Sequence, residues 1–442
     1  MSVLRNSFSR TSAARRLLFC SLKINSPSIF CVKCRKFVQY STTSETNVIS
    51  GAVTLPRYLN SVIKFKGPIS VFEFMREALT NPIHGYYMHK DVFGKSGDFI
   101  TSPEINQMFG ELISIWIANE WMKLNKPKPL FLIELGPGRG TMMSDILRVF
   151  KKLNLLENVS CHLIEASPKM TRLQAESLHI DLESLNDEPN DSQCFCSGTT
   201  VEGVRVHWYN HLKSVPPAFS VVVAHEFFDA LPVHKFRKTE KGWREVLIDS
   251  SDPTDLEAKK FRYVLSPNPT IATKLFVKES DTRCEIEVSP DSRIIMNELA
   301  NRLEQFGGMA LIADYGHDGS QPNMDTFRAY KGHKQIDPLH DPGSADLTVD
   351  VDFNFLKNNT LDKLISFGPI TQMEFLSRMQ IDVRMKALLE KSNDEDAKKS
   401  IISGYNMMMD PKQMGERFKF MCFFPAVLKD YLERVPVAGF SS

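Results

Sequence analysis

The chain has 442 residues, more than one typical domain, and 42% of them are hydrophobic, which is ample for a large buried core. Its formal net charge is only +1, and no apolar run reaches the roughly 18 residues needed to cross a bilayer. This composition predicts one catalytic domain with additions and argues against a membrane-spanning protein.

The first 44 residues have the composition of a mitochondrial transit peptide. They contain eight Arg or Lys and no Asp or Glu, and serines, threonines and apolar residues lie between the basic ones. A basic arm that binds nucleic acid or an acidic partner is the alternative. Without these residues the formal charge falls from +1 to about −7, because eight positive and no negative charges are lost. The rest of the chain has no basic excess, which argues against nucleic acid as a substrate.

Residues 45–127 are predicted to form an N-terminal helical region, which one irregular stretch interrupts at residues 81–102. The helix after it begins with T-S-P-E and has an apolar stripe over residues 105–117. If Thr101 is the N-cap, Glu104 at the third helical position completes a capping box. We expect the stripe to be buried inside the monomer; a homodimer interface is the alternative.

The stretch LFLIELGPGRGT at residues 130–141 has the pattern of a nucleotide-cofactor loop between a buried strand and a helix. Gly136, Gly138 and Gly140 occupy every second position, and Thr141 comes next. This G-x-G-x-G spacing differs from the G-x-G-x-x-G of dinucleotide-binding loops. The pattern therefore predicts a nucleotide cofactor and disfavours a nicotinamide dinucleotide.

A second strand-like run, SCHLIE, ends on Glu165, about 25 residues after the last of these glycines. An acid at this place can accept hydrogen bonds from both hydroxyls of a bound ribose. A solvated acid at a strand end is the simpler alternative.

The following segments predict the first strands of a doubly wound sheet over residues 128–237. Buried strands are expected around Trp208, at residues 221–224 and at residues 233–236. Residues 238–288 mix short strands with Pro-rich turns, which is typical of an insertion.

Residues 289–442 are predicted to complete the sheet and to add C-terminal helices. A helix is expected over Pro290–Phe306, with Ser289 as its N-cap and Pro290 at its first position. After it come a strand at residues 309–313, a helical region at 385–409 and a strand at 418–424. Strands and helices thus alternate as in an α/β fold.

Acidic and aromatic side chains follow the strand at residues 221–224. They are His225, Glu226, Phe227, Phe228 and Asp229. Asp314 and Tyr315 end the next core strand in a similar way. Ligands of doubly wound sheets gather at the carboxyl ends of the strands, so we expect the cluster after residue 224 to lie beside the glycine loop.

Four segments together resemble the MidA-like family of mitochondrial methyltransferases. They are GDFITSPEINQMFGELI (97–113), IELGPGRGTMMSDILR (133–148), AHEFFDALPVHKF (224–236) and ADYGH (313–317). The resemblance covers nearly everything after the first 44 residues. It implies an α/β class I S-adenosylmethionine-dependent methyltransferase fold, with a doubly wound, mostly parallel sheet, an N-terminal helical region and an inserted substrate-side subdomain.

The family resemblance also implies a function and a partner. The implied enzyme is a protein arginine N-methyltransferase of the mitochondrial matrix that uses S-adenosylmethionine. Its implied substrate is a core iron–sulfur subunit of respiratory complex I, NADH:ubiquinone oxidoreductase. The resemblance also implies that complex I assembly needs this enzyme. Two alternatives are an assembly chaperone of this fold that binds the cofactor without essential catalysis, and a nicotinamide-dependent oxidoreductase.

By the same resemblance, the three glycines let the backbone approach the methionine portion of the cofactor, and Glu165 holds its ribose. Glu134 orients the loop or meets the cofactor's ammonium group. Thr141 and His225 complete the predicted set of cofactor-binding residues. The alternative for His225 is that it orients Glu226 or only packs against its neighbours. No metal site is predicted.

An arginine acceptor requires acids, because its guanidinium has five donors and a pKa above about 12. Glu226 and Asp229 are the first candidates for catalytic carboxylates, with Asp98 and Glu104 second. Asp229 has the alternative role of starting a turn before Ala-Leu-Pro. Phe227 and Phe228 are expected to wall the site.

Overall fold

The structure is a computed structural model that describes residues 54–89, 101–182, 194–251, 260–320 and 325–440. All of them belong to one compact unit, Val53–Ser442. The predicted transit peptide and Asp98 lie outside the described residues. Among the helices that are described, none combines the length and the apolar character that a membrane span needs.

The described part of the N-terminal region is mostly helical. In chain order its elements are α1 (Leu55–Lys66), β1 (Ile69–Ser70), α2 (Val71–Thr80), α3 (Tyr86–His89), α4 (Ser102–Ile105) and α5 (Gln107–Lys123). The prediction of one continuous helix from Thr101 is wrong, because Asn106 has an extended backbone and its side chain caps α5 by accepting from Met108 N at 3.0 Å. The predicted capping box is also wrong, since the Thr101 side chain makes no cap hydrogen bond.

The first part of the core alternates strands and helices, as predicted. Its elements are β2 (Leu130–Leu135), α6 (Thr141–Lys152), β3 (Val159–Ile164), α7 (Pro168–Ser177), β4 (Cys196–Thr199), β5 (Arg205–Tyr209) and β6 (Phe219–His225). The predicted strand, loop and helix around residues 130–141 are confirmed.

A second, antiparallel sheet follows. Its region contains β7 (His234–Thr239), β8 (Gly242–Ser250), β9 (Phe261–Leu265), α8 (Ile271–Phe276) and β10 (Glu285–Val288). The strand order is β1-β8-β7-β10, with β9 beside β8. Residues 233–236 therefore do not extend the core sheet, and that prediction is wrong. Residues 234–236 instead lie in β7, which pairs antiparallel with β8 and β10, because strand character in a sequence does not specify the pairing partner.

The last part of the chain completes the core and adds a small sheet. Its elements are α9 (Pro290–Phe306), β11 (Gly308–His317), β12 (Arg328–Lys331), β13 (Lys334–Ile336), β14 (Asp346–Thr348), β15 (Val351–Asp352), α10 (Phe353–Asn358), β16 (Leu364–Thr371), α11 (Gln372–Arg378), α12 (Ile381–Lys391), α13 (Glu395–Met409), β17 (Phe418–Pro425) and α14 (Lys429–Arg434). The Ser289 cap of α9 is confirmed, since its side chain accepts from Ser292 N. The predicted helical region at 385–409 is confirmed, and it consists of two helices because Asp394 caps the start of the second one.

The core sheet has the order β16-β17-β11-β6-β2-β3-β5-β4, with β15 beside β11. Its five central strands, from β11 to β5, are parallel, and β17 and β4 run antiparallel to their neighbours. Helices α5 and α6 cover one face and α9 and α10 the other. The fold is therefore the predicted α/β, mostly parallel sheet. Strands β3 and β6 lie on opposite sides of β2, and the chain forms β3 before it returns to form β6. A crevice therefore opens at the carboxyl ends of these strands.

Helix α5 is buried on nearly all sides rather than along one stripe. Phe109, Trp116 and Trp121 are in the core, and the buried Glu111 pairs with arginines of α6 and α12. A Cβ at Gly110 would lie 2.3 Å from Oδ2 of Asp145, so α5 and α6 are in near contact. The apolar stripe at residues 105–117 is thus packed within the chain, as expected.

Candidate active site

The glycine loop follows β2 and leads directly into α6. Gly136, Gly138 and Gly140 have φ values of 62°, 53° and 82°, a left-handed backbone region that favours glycine. A Cβ at Gly136 would lie only 2.7 Å from Cδ2 of Phe227. The loop therefore presents bare backbone at the N-terminus of a helix, where N–H groups favour an anionic or polar ligand.

Glu165 lies directly after β3, beside this loop. Its Oε1 accepts from Ser167 N at 2.7 Å, and its Oε2 accepts from Gln174 Nε2 at 2.8 Å. Gln174 Nε2 also donates to the carbonyl of Gly138 at 2.8 Å. Burial raises the pKa of Glu165. Gln174 thus joins the predicted ribose acid to the glycine loop.

A cavity of about 550 Å³, here called the main cavity, opens at the carboxyl ends of β2, β3 and β6. Predicted residues that line it are Gly136, Gly138, Glu165, Glu226, Phe227 and Asp229. Its volume is that of a small-molecule binding site. These residues follow three separate strands in the sequence, and the fold brings them to one space.

Glu226 and Asp229 lie in a tight turn after β6 that Asp314 holds in place. Oδ2 of Asp314 accepts hydrogen bonds from the backbone N–H groups of residues 227, 228 and 229 at 3.1, 2.9 and 3.3 Å. Glu226 itself has a φ of 48°, which a non-glycine residue rarely adopts. Asp314 therefore supports an unusual backbone conformation that points the turn into the main cavity.

Both acids of this turn are buried. Burial raises the pKa of Glu226, and the nearby Asp229 raises it further. Burial also raises the pKa of Asp229, with a further contribution from Asp314. Neither carboxyl forms an ion pair with a Lys or Arg of the described residues within 4.0 Å. A cation that enters the main cavity would therefore find acids that lack a close positive partner.

A smaller cavity of about 40 Å³, here called the minor cavity, lies under the glycine loop. Predicted residues that line it are Glu104, Glu134, Gly136, Gly138, Thr141, His225 and Glu226. Within the described chain, Oε2 of Glu134 and Nε2 of His225 have no hydrogen-bond partner. Burial raises the pKa of Glu134 to about 8 and lowers that of His225 to about 3, so His225 is neutral at physiological pH. Nε2 of His225 lies 3.5 Å from Oε1 of Glu226, so Oε2 of Glu134 is the atom that fits a ligand with a donor group, such as an ammonium.

Of the second pair of candidate catalytic carboxylates, Glu104 and Asp98, only Glu104 is among the described residues. Glu104 lines the minor cavity, and its Oε1 lies 3.9 Å from Nε of Arg139 in the glycine loop. Asp98 is outside the described residues. Gly140 lines neither cavity; it is the N-cap of α6. In the parts of the chain that are described, no group of His, Cys, Asp or Glu side chains is arranged to hold a metal ion.

The residues on the opposite side of the main cavity were not predicted from the sequence. They are Tyr87, Arg328, Tyr330, Asp346 and Thr348, among others. The hydroxyl of Tyr87 donates to Oδ1 of Asp346 at 2.6 Å across a separation of 259 residues. The alternation of polar and apolar residues in FRAYK and ADLTV was the available signal, because it is typical of strands with one buried face.

The chain is similar to known methyltransferases. The sequence profile of a family described as "Putative S-adenosyl-L-methionine-dependent methyltransferase" matches residues 112–370, more than half of the chain. "Protein arginine methyltransferase NDUFAF7, mitochondrial" of Xenopus tropicalis is 48% identical over 407 residues, which cover 91% of this chain and 93% of that protein. The Homo sapiens protein of the same name is 49% identical over 373 residues, covering 84% and 83%.

A solved structure shares the fold. It is a Burkholderia thailandensis protein with S-adenosyl-homocysteine bound, which aligns with a TM-score of 0.66 at 21% identity and covers 88% of this chain and 92% of its own. The glycine loop, the acid after β3 and the sheet order thus define a class I S-adenosylmethionine-dependent methyltransferase. The chain belongs to the MidA-like family of these enzymes.

Family membership assigns the cofactor, and the residues present fit it. S-adenosylmethionine is the cofactor, which decides against the nicotinamide alternative. Gly136 and Gly138 line the main cavity with left-handed backbone that carries no side chain, and the unpartnered Oε2 of Glu134 matches an ammonium group. The roles of the individual residues stay predictions.

Proposed function

We propose that this methyltransferase acts on an arginine side chain of a protein. The observation that carries the proposal is the pair of buried acids, Glu226 and Asp229, in the same cavity as the glycine loop and Glu165. The relatives of this chain are named protein arginine methyltransferases, which supports the same acceptor.

The parts of the main and minor cavities have separate proposed roles. Gly136 and Gly138 lie against the methionine portion of S-adenosylmethionine, Glu165 binds its ribose, and Glu134 meets its ammonium. When bound, the cofactor supplies a methyl group that is activated by a sulfonium. The protein's task is to hold the acceptor nitrogen in line with this methyl at about 3 Å and to keep water out.

Glu226 and Asp229 supply what a guanidinium needs. Carboxylates bind its N–H donors in a fixed orientation, and the positive charge favours their ionised form. The nitrogen that gains the methyl must lose one proton, and a buried carboxylate of raised pKa is a suitable acceptor. The same two acids therefore orient the acceptor and receive its proton.

The finer proposal concerns the substrate and the compartment. We propose a core iron–sulfur subunit of complex I as the substrate, in the mitochondrial matrix, with complex I assembly as the process served. The family resemblance of the four sequence segments supports this, as do relatives whose names include the word mitochondrial.

The test is transfer from methyl-labelled S-adenosylmethionine to matrix proteins of cells that lack the enzyme. We expect label on arginine, and we expect Glu226→Gln and Asp229→Asn to lower the rate while cofactor binding is kept. Glu390→Gln, an exposed acid on α12, is the control. Label confined to residues other than arginine would refute the acceptor, and label absent from complex I subunits would refute the finer proposal.

A further inference from the structure

The small sheet, with the strand order β13-β12-β14, forms a polar wall of the main cavity. Arg328 pairs with Thr348 and Tyr330 with Asp346 in register, and all four line the cavity. Ala329 and Leu347, which lie between them, point to the opposite face and pack with α1 and α2. The alternation along the strands therefore directs a row of polar side chains into the site.

This wall has hydrogen-bonding capacity that the protein does not use. Thr348 is 6% exposed and Arg328 is 8% exposed. Oγ1 of Thr348 and Nε of Arg328 have no hydrogen-bond partner among the residues that the structure describes. A buried polar group without a partner is destabilising, so its retention points to a ligand that supplies the partner.

Asp346 is connected to the cofactor side of the cavity through Tyr87. The Tyr87 hydroxyl donates to Oδ1 of Asp346 at 2.6 Å, and the Tyr87 carbonyl accepts from Oγ of Ser167 at 2.9 Å. Ser167 in turn donates its backbone N–H to Glu165 at 2.7 Å. Asp346 thus has a defined position relative to the predicted ribose acid.

The charge of the wall favours a cation. The guanidinium of Arg328 lies 2.6 Å from Oδ1 of Asp350, so its charge is paired within the protein. Asp346 adds a carboxylate close enough to Glu226 and Asp229 to contribute to the raised pKa of each, after the larger effect of burial. The described lining thus has four acids, counting Glu165, and two arginines, Arg328 and Arg417, which both pair with Asp350.

We propose that the β12–β14 face of the small sheet binds the acceptor arginine. Asp346, oriented by Tyr87, receives the guanidinium together with Glu226 and Asp229. The hydroxyl of Thr348 accepts a hydrogen bond from the acceptor side chain, and the Nε–H of Arg328 donates to a carbonyl of the acceptor chain. This inference rests on the proposed function and names the residues that select a guanidinium.

The first test compares Asp346→Asn with wild type in cofactor binding and in arginine methylation of matrix extract at increasing concentration. We expect roughly a 10- to 100-fold fall in apparent kcat/KM, as for the loss of one hydrogen bond to a charged group. The Kd for S-adenosylmethionine should stay within about twofold. Tyr87→Phe should raise the apparent KM more than it lowers kcat, because Tyr87 positions Asp346 without touching the acceptor.

Thr348→Val is a second variant that separates binding from folding. Valine has the shape of threonine but no hydroxyl, so removing an unpartnered buried group should raise the Tm. Because the hydroxyl is assigned to the acceptor, the apparent KM should rise in the same variant. A merely structural hydroxyl would change the Tm without changing KM.

The outcomes distinguish this inference from the proposed function. If wild type labels no arginine, the proposed function fails. If wild type labels arginine but Asp346→Asn and Thr348→Val keep its kcat/KM, the assignment of the wall is overturned. Loss of cofactor binding in Asp346→Asn would also overturn it, since Asp346 would then act on the donor side. Asp341→Asn, an exposed acid between β13 and β14, is the matched control.

Discussion

Residues at the carboxyl ends of three neighbouring strands surround the main cavity. Gly136 follows β2, Glu165 follows β3 and Glu226 follows β6. Gly136 has a left-handed backbone, and Glu165 accepts hydrogen bonds from two protein donors. Glu226 lies in a turn that Asp314 stabilises.

Glu165→Gln should weaken S-adenosylmethionine binding roughly 10- to 100-fold. The carboxylate accepts two protein hydrogen bonds and has about four acceptor positions, so two remain for the ribose hydroxyls. Isothermal titration calorimetry measures the change. Glu176→Gln, an exposed acid on α7, should bind like wild type. Equal affinity of Glu165→Gln and wild type would contradict the ribose role.

Glu134 should make cofactor binding dependent on pH. Its folded pKa is raised to about 8, so it is mostly protonated at pH 7 in the free protein. An ammonium group requires the ionised form, so binding at pH 7 should release a proton and affinity should rise with pH up to about 8. Calorimetry in buffers of different ionisation enthalpy counts the protons. Glu134→Gln should release none; the same proton release in that variant would exclude Glu134 as the source.

At the scale of elements, helix ends and close contacts decide the shape of the site. The break at Asn106 separates α4 from α5, so Ser102 of α4 can donate its N–H toward Glu226, at 3.5 Å, while α5 packs on the core sheet. A T-S-P-E start signal did not reveal this break, because the signal is local. The contact between α5 and α6 depends equally on a residue without a side chain, Gly110.

Gly110→Val should destabilise the fold by about 1–3 kcal/mol. An added side chain would meet Asp145 at less than 3 Å and would force α5 away from α6. Urea unfolding measures the difference in free energy of unfolding. Ile115→Ala on the same helix, at a position that is 41% exposed, should cost much less. If both variants lost a similar free energy of unfolding, α5 and α6 would not be in close contact at Gly110.

At the scale of the whole molecule, distant segments supply the two sides of the cavity. The core sheet contributes the glycine loop, Glu165 and the turn after β6, whereas α3 and the small sheet contribute Tyr87 and Asp346. The predicted domain boundaries at residues 127, 237 and 288 stay predictions. Since β1 of the N-terminal region pairs with β8 of the second sheet, these parts of the chain are joined by backbone hydrogen bonds.

If the protein serves complex I assembly, as proposed above, and if cofactor use is essential, Gly138→Val should abolish that assembly. Gly138 has a φ of 53°, and a β-branched side chain there would block the backbone approach to the cofactor. Assembly is measured by native electrophoresis of mitochondria from cells in which the variant replaces the wild-type protein. Gly203→Val is the matched control, because Gly203 also has a positive φ but has no atoms within 4 Å of an added Cβ.

Normal assembly with a Gly138→Val protein that accumulates to wild-type level but binds no S-adenosylmethionine would support the assembly-chaperone alternative. Failure of both glycine variants, with loss of the protein, would instead point to a folding defect. The two glycines therefore separate cofactor use from backbone strain.

Much of the fold could be predicted because its signals are local. The apolar run before Gly136, the alternate glycines and the Ser289–Pro290 helix start each depend on neighbouring residues, and the structure confirms these elements. Residues 233–236 were assigned to the wrong sheet, since strand character does not specify a pairing partner. Asp314 was seen only as a strand end, although its carboxyl organises the turn that contains Glu226.

The sequence by itself determined the α/β class, the strand, glycine loop and helix around residues 130–141, and the acids that follow the strands, because these features depend on adjacent residues. Only the tertiary structure decided which acids share a cavity and which polar residues face them. Tyr87 and Asp346 are 259 residues apart in the chain and 2.6 Å apart in the fold. Contacts over such separations depend on how sheets and helices pack, which no local pattern records.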